Sequence, residues 1–216
     1  MIEQGFAHTL GPSPDREGTN FALYSSVADR VELCLFDDAG RQTSSHDLPG
    51  CDNGVWHGYL PGCASGQRYG FRVHGPFDPA RGLRCRPSKL LVDPYARRLD
   101  GEFRWDDAVF DSNDRDSAGH VPFSVVTPVG EMQDDRKPRI PWEETIFYEC
   151  NVRGYTMRHP GVDEADRGKF SGLCNSQVIE YLKALGITSV ELRPVYAFID
   201  EHHLVKQGLR NLWGYN

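Results

Sequence analysis

An alternating pattern fills residues 67–73, which read Gln-Arg-Tyr-Gly-Phe-Arg-Val. Tyr69, Phe71 and Val73 fall on one side of an extended chain with polar or small residues between them, as in a strand with one buried face. Upstream, strand-like stretches lie at 20–24, 31–36 and 55–60, with turn-forming residues at 37–40 and 52–54. Strands at intervals of about 10 to 15 residues predict an antiparallel, immunoglobulin-like β-sandwich, which we place at residues 1–100.

The composition changes after the predicted sandwich. Acidic and small polar residues at 111–117 and 134–138 are too polar to bury, so we expect residues 101–141 to be a polar connector on a surface. Residues 142–216 then give a strand at 145–150, a helix at 177–185 and a second strand at 187–192. This order predicts a βαβ unit with parallel strands. Because parallel sheets are normally covered on both faces, we expect this part to be an incomplete α/β structure.

Charge and cysteine usage restrict the partners. The chain has 24 Lys+Arg against 31 Asp+Glu and a formal net charge of -7, which gives no electrostatic support for nucleic-acid binding. No apolar run approaches the ~20 residues that span a bilayer, and the N-terminus lacks a secretory signal pattern, so we expect a cytoplasmic protein without a membrane partner. The six cysteines are widely scattered, so we expect reduced, structural thiols.

The nearest approach to a metal motif is His202-His203 beside Asp200. Adjacent residues seldom aim at one ion, and no spaced third ligand follows, so solvated loop residues are the better interpretation. We therefore expect no metal site and no cofactor.

Several longer motifs occur in a fixed order along the chain. The first half contains 69–79, Tyr-Gly-Phe-Arg-Val-His-Gly-Pro-Phe-Asp-Pro, and 89–96, Lys-Leu-Leu-Val-Asp-Pro-Tyr-Ala. The second half contains Tyr148-Glu149, then 152–156, 178–186 and 191–195, and ends in Trp213-Gly214-Tyr215-Asn216. Taken together, the motifs resemble the N-terminal portion of the bacterial glycogen debranching enzymes of the isoamylase type, and the resemblance covers essentially the whole chain.

The resemblance implies a sandwich of carbohydrate-binding module family 48, followed at 142–216 by the first strands of the (β/α)8 barrel of glycoside hydrolase family 13. Members hydrolyse α-1,6 branch linkages in glycogen with an Asp nucleophile, a Glu acid and an assisting Asp, all beyond the Trp-Gly-Tyr-Asn segment. We therefore expect no catalytic residue in this chain and no glycosidase activity from it alone. The alternative is a non-catalytic glucan-binding or regulatory module, and in both cases the expected partner is glycogen or a branched α-glucan.

Two aromatic residues are candidates for sugar binding. Tyr215 matches, by resemblance, the tyrosine that stacks on the sugar at the family's cleavage subsite, although here it is the penultimate residue, with nothing to position it. Trp56 lies in a predicted sandwich strand and, with Tyr59, Tyr69 and Phe71, provides either a sugar-stacking platform or core side chains.

Two glutamates fall in the predicted parallel strands. Glu149 and Glu191 approach each other if these strands are neighbours, and burial would then raise a pKa. The alternative interpretation is a carboxylate paired with an arginine such as Arg153 or Arg193. The positions that depart from the family pattern are Cys150, Asn151, Tyr196, Leu212 and the run Lys169-Phe170-Ser171.

Overall fold

A computed structural model describes residues 1–128, 130 and 137–216 of the chain. The chain divides into two compact units, Met1–Glu131 and Met132–Asn216. The run 134–136 of the predicted connector lies outside the described residues. The strands of the first unit are β1 (Gly11–Pro14), β2 (Gly18–Tyr24), β3 (Arg30–Phe36), β4 (Gln42–Asp47), β5 (Gly50–Asp52), β6 (Val55–Pro61), β7 (Arg68–His74), β8 (Phe77–Asp78), β9 (Leu83–Arg84), β10 (Leu99–Asp100) and β11 (Phe123–Val125).

The first unit is mostly antiparallel β-structure, as the strand spacing predicts. One sheet has the order β1-β2-β6-β5 and the other has the order β10-β11-β7-β3-β4. The predicted turn at 52–54 is confirmed, because Asp52 pairs with Val55 and both Asn53 and Gly54 have positive φ, at 52° and 82°. The sequence pattern did not predict strand β4, because its residues are polar and mostly exposed and therefore show no alternation of apolar side chains.

The alternating side chains of β3 and β7 build the core between the sheets. Val31 pairs across the sheet with Val73, and Leu33 pairs with Phe71. All four are buried, and they share one apolar cluster with Phe21 of β2. The rings of Tyr69 and Phe21 meet edge-on, with their centroids 5.0 Å apart. The predicted inward face of residues 67–73 is therefore confirmed.

The outer face of the second sheet is also covered, and the cover comes from the chain after β9. Cys34 and Phe36 point away from the main core and form a second apolar cluster with Leu90. Gly70 lets the chain approach closely here, because a Cβ atom at this position would lie 2.8 Å from Leu90 Cδ1. The sheet further gains β11 as a neighbour of β7.

The covering layer continues past residue 100, where the sequence places the end of the sandwich. The larger part of the expected connector, up to β11, lies within the first compact unit. The acidic run at 111–117 is polar, as predicted, but its carboxylates form ion pairs: Asp111 with Arg84, Asp114 with Arg86, and Asp116 with Arg72 at 2.8 Å. Polarity here reflects pairing with arginines of the sandwich, which a composition argument does not detect.

Two buried polar residues of the motif at 89–96 hold this layer. The Lys89 ammonium donates to the carbonyl oxygens of Ala108 and Arg115, both at 2.8 Å, and burial lowers its pKa. The Asp93 carboxylate accepts a 2.7 Å hydrogen bond from the Tyr69 hydroxyl, and burial raises its pKa. The two residues that interrupt an apolar run are thus structural anchors.

The second unit contains the predicted parallel pair. Its elements are β12 (Phe147–Cys150), α1 (Val152–Thr156), α2 (Phe170–Leu173), α3 (Ser176–Ala184), β13 (Ser189–Leu192) and α4 (His202–Val205). β12 and β13 are parallel, with Glu149 opposite Glu191. Asn175 caps α3 by accepting from the Gln177 amide at 2.9 Å, and Gly186 ends the helix with a φ of 78°. Among the described residues, no helix is both long enough and apolar enough to cross a bilayer.

Candidate functional site

Trp56, the candidate sugar platform of the sandwich, lies on the inner side of its sheet. It pairs across the strands with Leu23, which is buried, and its ring packs against the main apolar cluster. The indole N–H points to the carbonyl oxygen of Ser25 at 3.4 Å. The ring is therefore half-buried against the core.

The other three aromatic candidates are also engaged. Tyr69 and Phe71 are fully buried, in agreement with the core interpretation. The Tyr59 hydroxyl donates to Asp15 at 2.8 Å, and burial together with this hydrogen bond raises the pKa of Tyr59 to about 12. These four residues therefore do not form a platform of exposed aromatic rings on which a sugar could stack.

The carboxyl ends of β12 and β13 gather a different set of residues. Because the strands are parallel and in register, Glu149, Glu191 and Arg193 share one face of the sheet. Arg193 Nε lies 2.9 Å from Glu149 Oε1, and the Arg193 amide donates to the Cys150 carbonyl at 2.9 Å. The interpretation that an arginine satisfies Glu149 is confirmed for Arg193. Two strand carboxylates opposite each other, one of them paired with a guanidinium, do not form an acid/base couple.

The segment 211–216 lies at the same end of the sheet. The Asn211 carboxamide oxygen accepts from the amides of Trp213 and Gly214, at 2.9 and 2.8 Å. Asn216 exchanges two hydrogen bonds with the backbone of Ile199, at 3.0 and 3.1 Å. The expectation that nothing positions Tyr215 is therefore wrong, because the residues on both sides of it are fixed. Its own side chain is 73% exposed.

Arg193 also reaches this segment. Its guanidinium carbon lies 3.8 Å from the centre of the Trp213 ring, which is half-exposed. Sequence reasoning named Arg193 only as a partner for a glutamate and missed its contact with Trp213. No local pattern pairs these two residues, because they are 20 positions apart in the sequence.

His202 and His203 open the short helix α4 rather than a loop. The described part of the chain contains no group of three or more His, Cys, Asp or Glu side chains arranged to hold an ion.

An apolar cleft of about 410 Å³ opens beside the outer edge of β13 in the second unit. Its walls come from α2, α3 and β13, with Leu173, Leu182 and Val190 among the lining residues. Within the described residues, β13 has β12 as its strand neighbour and presents a free edge. The second unit thus leaves both an apolar groove and a strand edge open.

Comparison with known proteins identifies relatives of the whole chain. Residues 9–96 match carbohydrate-binding module 48, the isoamylase N-terminal domain. The glycogen debranching enzyme of Erwinia tasmaniensis is 46% identical over 221 residues, which cover 100% of this chain and 33% of that protein. The glycogen operon protein GlgX homolog of Mycobacterium tuberculosis H37Rv is 46% identical over 224 residues, covering 98% of this chain and 31% of the relative.

The chain thus spans about a third of the length of these curated relatives and matches their N-terminal part. The resemblance to the glycogen debranching enzymes is confirmed. Among solved structures, a pullulanase from Anoxybacillus sp. LM18-11 complexed with maltotetraose superimposes with a TM-score of 0.67 at 22% identity, covering 98% of this chain and 28% of that one. This likeness concerns the fold.

Proposed function

We propose that this relative of the glycogen debranching enzymes contributes the N-terminal sandwich and the first part of the catalytic barrel to an enzyme that hydrolyses α-1,6 branch linkages in glycogen. The observation that carries the proposal is the 46% identity over the full chain to a glycogen debranching enzyme. The expected location is the cytoplasm, where a bacterial glycogen enzyme meets its substrate.

The second unit supports the barrel part of the proposal. Its parallel strands are joined through a crossover that contains α3, the repeating unit of a (β/α)8 barrel. The apolar cleft beside β13 has a lining that side chains from a further strand or helix of such a barrel would cover. In a barrel, the carboxyl ends of the strands carry the active site, and Arg193 and Tyr215 lie at this end.

The residues of this chain would then serve binding and support rather than bond cleavage. Glu149 is held by Arg193 and faces Glu191 across the strands, so neither is placed as a nucleophile with a partner acid. Tyr215 is held by its neighbours with its ring exposed, and its proposed role is to stack on a glucose ring of the branched chain. The boundaries that follow are a sandwich with its covering layer, a short polar link, and the barrel portion from 142 onward.

The experiment is a hydrolysis assay with the purified 216-residue chain and a branched α-glucan, scored by newly formed reducing ends. We expect no release above the blank. Turnover that disappears in Glu149→Gln would overturn the assignment of the catalytic carboxylates to other parts of the enzyme.

A second candidate is a non-catalytic glucan-binding or regulatory module, which the family match of residues 9–96 favours. It predicts that glycogen retards this chain in a native gel through the sandwich. The inward position of Trp56 argues against this residue as its platform. Unchanged mobility in glycogen would remove this candidate.

A further inference from the structure

We infer that Arg193 is a positioning residue that holds the segment 211–216 at the carboxyl ends of β12 and β13. The guanidinium has partners of two kinds. Its Nε lies 2.9 Å from Glu149 Oε1 in an ion pair, while its carbon lies 3.8 Å from the centre of the Trp213 ring. These contacts are compatible because an arginine can pair with a carboxylate and at the same time stack the face of its guanidinium on an aromatic ring.

The position of Arg193 on the sheet explains why a cation is needed there. Glu149 and Glu191 are directly opposite each other on adjacent parallel strands, a repulsive arrangement for two carboxylates. Arg193 follows two residues after Glu191, so its side chain leaves on the same face and neutralises one of them. The arginine is thus fixed at its base by the strand and at its head by Glu149.

Hydrogen bonds to Asn211 and a close backbone approach at Gly214 hold the backbone of the segment 211–216. Asn211 closes the turn, is itself held through its amide by Asp200 at 2.7 Å, and donates from Nδ2 to Glu201 at 2.9 Å. Gly214 adopts a φ of 78°, and a Cβ atom there would lie 3.1 Å from the Pro194 carbonyl oxygen. These ties shape the turn, and the Arg193 contact couples the Trp213 ring to the face that carries Glu149.

The consequence concerns Tyr215, and this step rests on the proposed function. Trp213 and Tyr215 are two residues apart across a glycine, so a shift of the Trp213 ring changes where the Tyr215 ring stands. An exposed ring held at this end of the sheet suits a neutral α-glucan, which offers apolar sugar faces rather than charge. Arg193 would therefore act on glucan binding through Trp213 without touching the sugar.

The test uses the 216-residue chain labelled with 5-fluorotryptophan, whose four tryptophans give four fluorine NMR signals. Trp213→Phe assigns the Trp213 signal. We expect Arg193→Leu to move that signal toward the position of a solvent-exposed tryptophan and to leave the other three signals in place, which shows that the fold is kept. Arg193→Lys should restore part of the shift, and Arg158→Leu, which removes an exposed arginine of the same unit, should change nothing.

Maltotetraose is the probe for the glucan step. We expect Arg193→Leu to raise its dissociation constant by about two- to five-fold, the range of one partly exposed cation–π contact. Tyr215→Leu should abolish the maltotetraose response while leaving the Trp213 signal unmoved.

The outcomes separate the two claims. An unchanged Trp213 signal in Arg193→Leu, or an equal dissociation constant in the parent chain and Arg193→Leu, would overturn the positioning role. A parent chain that does not bind maltotetraose refutes Tyr215 stacking in this chain, and the Trp213 signal then decides the role of Arg193 by itself.

Discussion

Replacement of Lys89 by methionine tests the most specific structural claim about the sandwich unit. The buried ammonium donates to the Ala108 and Arg115 carbonyl oxygens at 2.8 Å, and methionine keeps the apolar stem while it removes both bonds. A hydrogen bond to a charged group contributes about 1.5–3 kcal/mol, so two of them give a gross loss of about 3–6 kcal/mol. Relief from burying the charge offsets part of this loss, and we expect a net destabilisation of about 2–4 kcal/mol.

Native-state hydrogen exchange measures this quantity for the first unit alone, because the slowest amides of β3 and β7 report its global opening. We expect their exchange free energies to fall by that amount in Lys89→Met, and the amides of 108–117 to lose protection first. Arg16→Met, an exposed substitution in the same unit, serves as the control and should stay within about 0.5 kcal/mol of the parent. A Lys89→Met protein as stable as this control would show that the lysine does not anchor the covering layer.

Three further predictions address other parts of the chain. Burial raises the pKa of Asp93 above its ordinary 3.8, so the contribution of this residue to the unfolding free energy is present below that pH and declines as the pH rises through the folded pKa. Asp93→Asn should remove this decline. A difference in unfolding free energy between the two proteins that does not change with pH would contradict the reasoning. Trp56→Ala should lower the stability of the sandwich by about 2 kcal/mol without changing mobility in a glycogen gel, whereas a loss of retardation in a folded variant would restore Trp56 as a binding residue. The amides of β12 and β13 should exchange faster than those of β3 and β7 because the parallel pair has an open edge, and equal protection would mean that the second unit is self-sufficient.

Much of the fold could be predicted from local patterns. The alternation of Tyr69, Phe71 and Val73 places them in the core, and the helix predicted at 177–185 forms the crossover between the two predicted parallel strands. These features depend on spacing alone, which a single sequence contains.

The covering layer could not be predicted in the same way. Asp116 pairs with Arg72 across 44 positions of sequence, and composition does not show which arginine meets which aspartate. A run that is polar because its charges are paired looks the same as a run that is polar because it lies in solvent. Lys89 and Asp93 carried the only local signal, as charged residues beside an apolar run.

Tyr215 was predicted by resemblance, and the pairing of Glu149 with an arginine was one of two interpretations that followed from its place in a predicted strand. Arg193 connects Glu149 to the segment that carries Tyr215. This connection depends on the tertiary structure, because Arg193 reaches Trp213 only once the segment 211–216 folds back to the strand ends. The capping role of Asn151, which accepts from the Gly154 amide at 2.9 Å, likewise follows from the helix that begins there. A departure from the family pattern at this position thus has a local structural use.

A chimera tests the central claim most directly. The N-terminal third of the Erwinia tasmaniensis glycogen debranching enzyme, which this chain matches at 46% identity, would be replaced by residues 1–216. We predict a folded protein that releases linear chains from a branched α-glucan, with its rate lowered by Tyr215→Leu. A folded, monodisperse chimera that leaves α-1,6 linkages intact would contradict the assignment of this chain to a debranching enzyme.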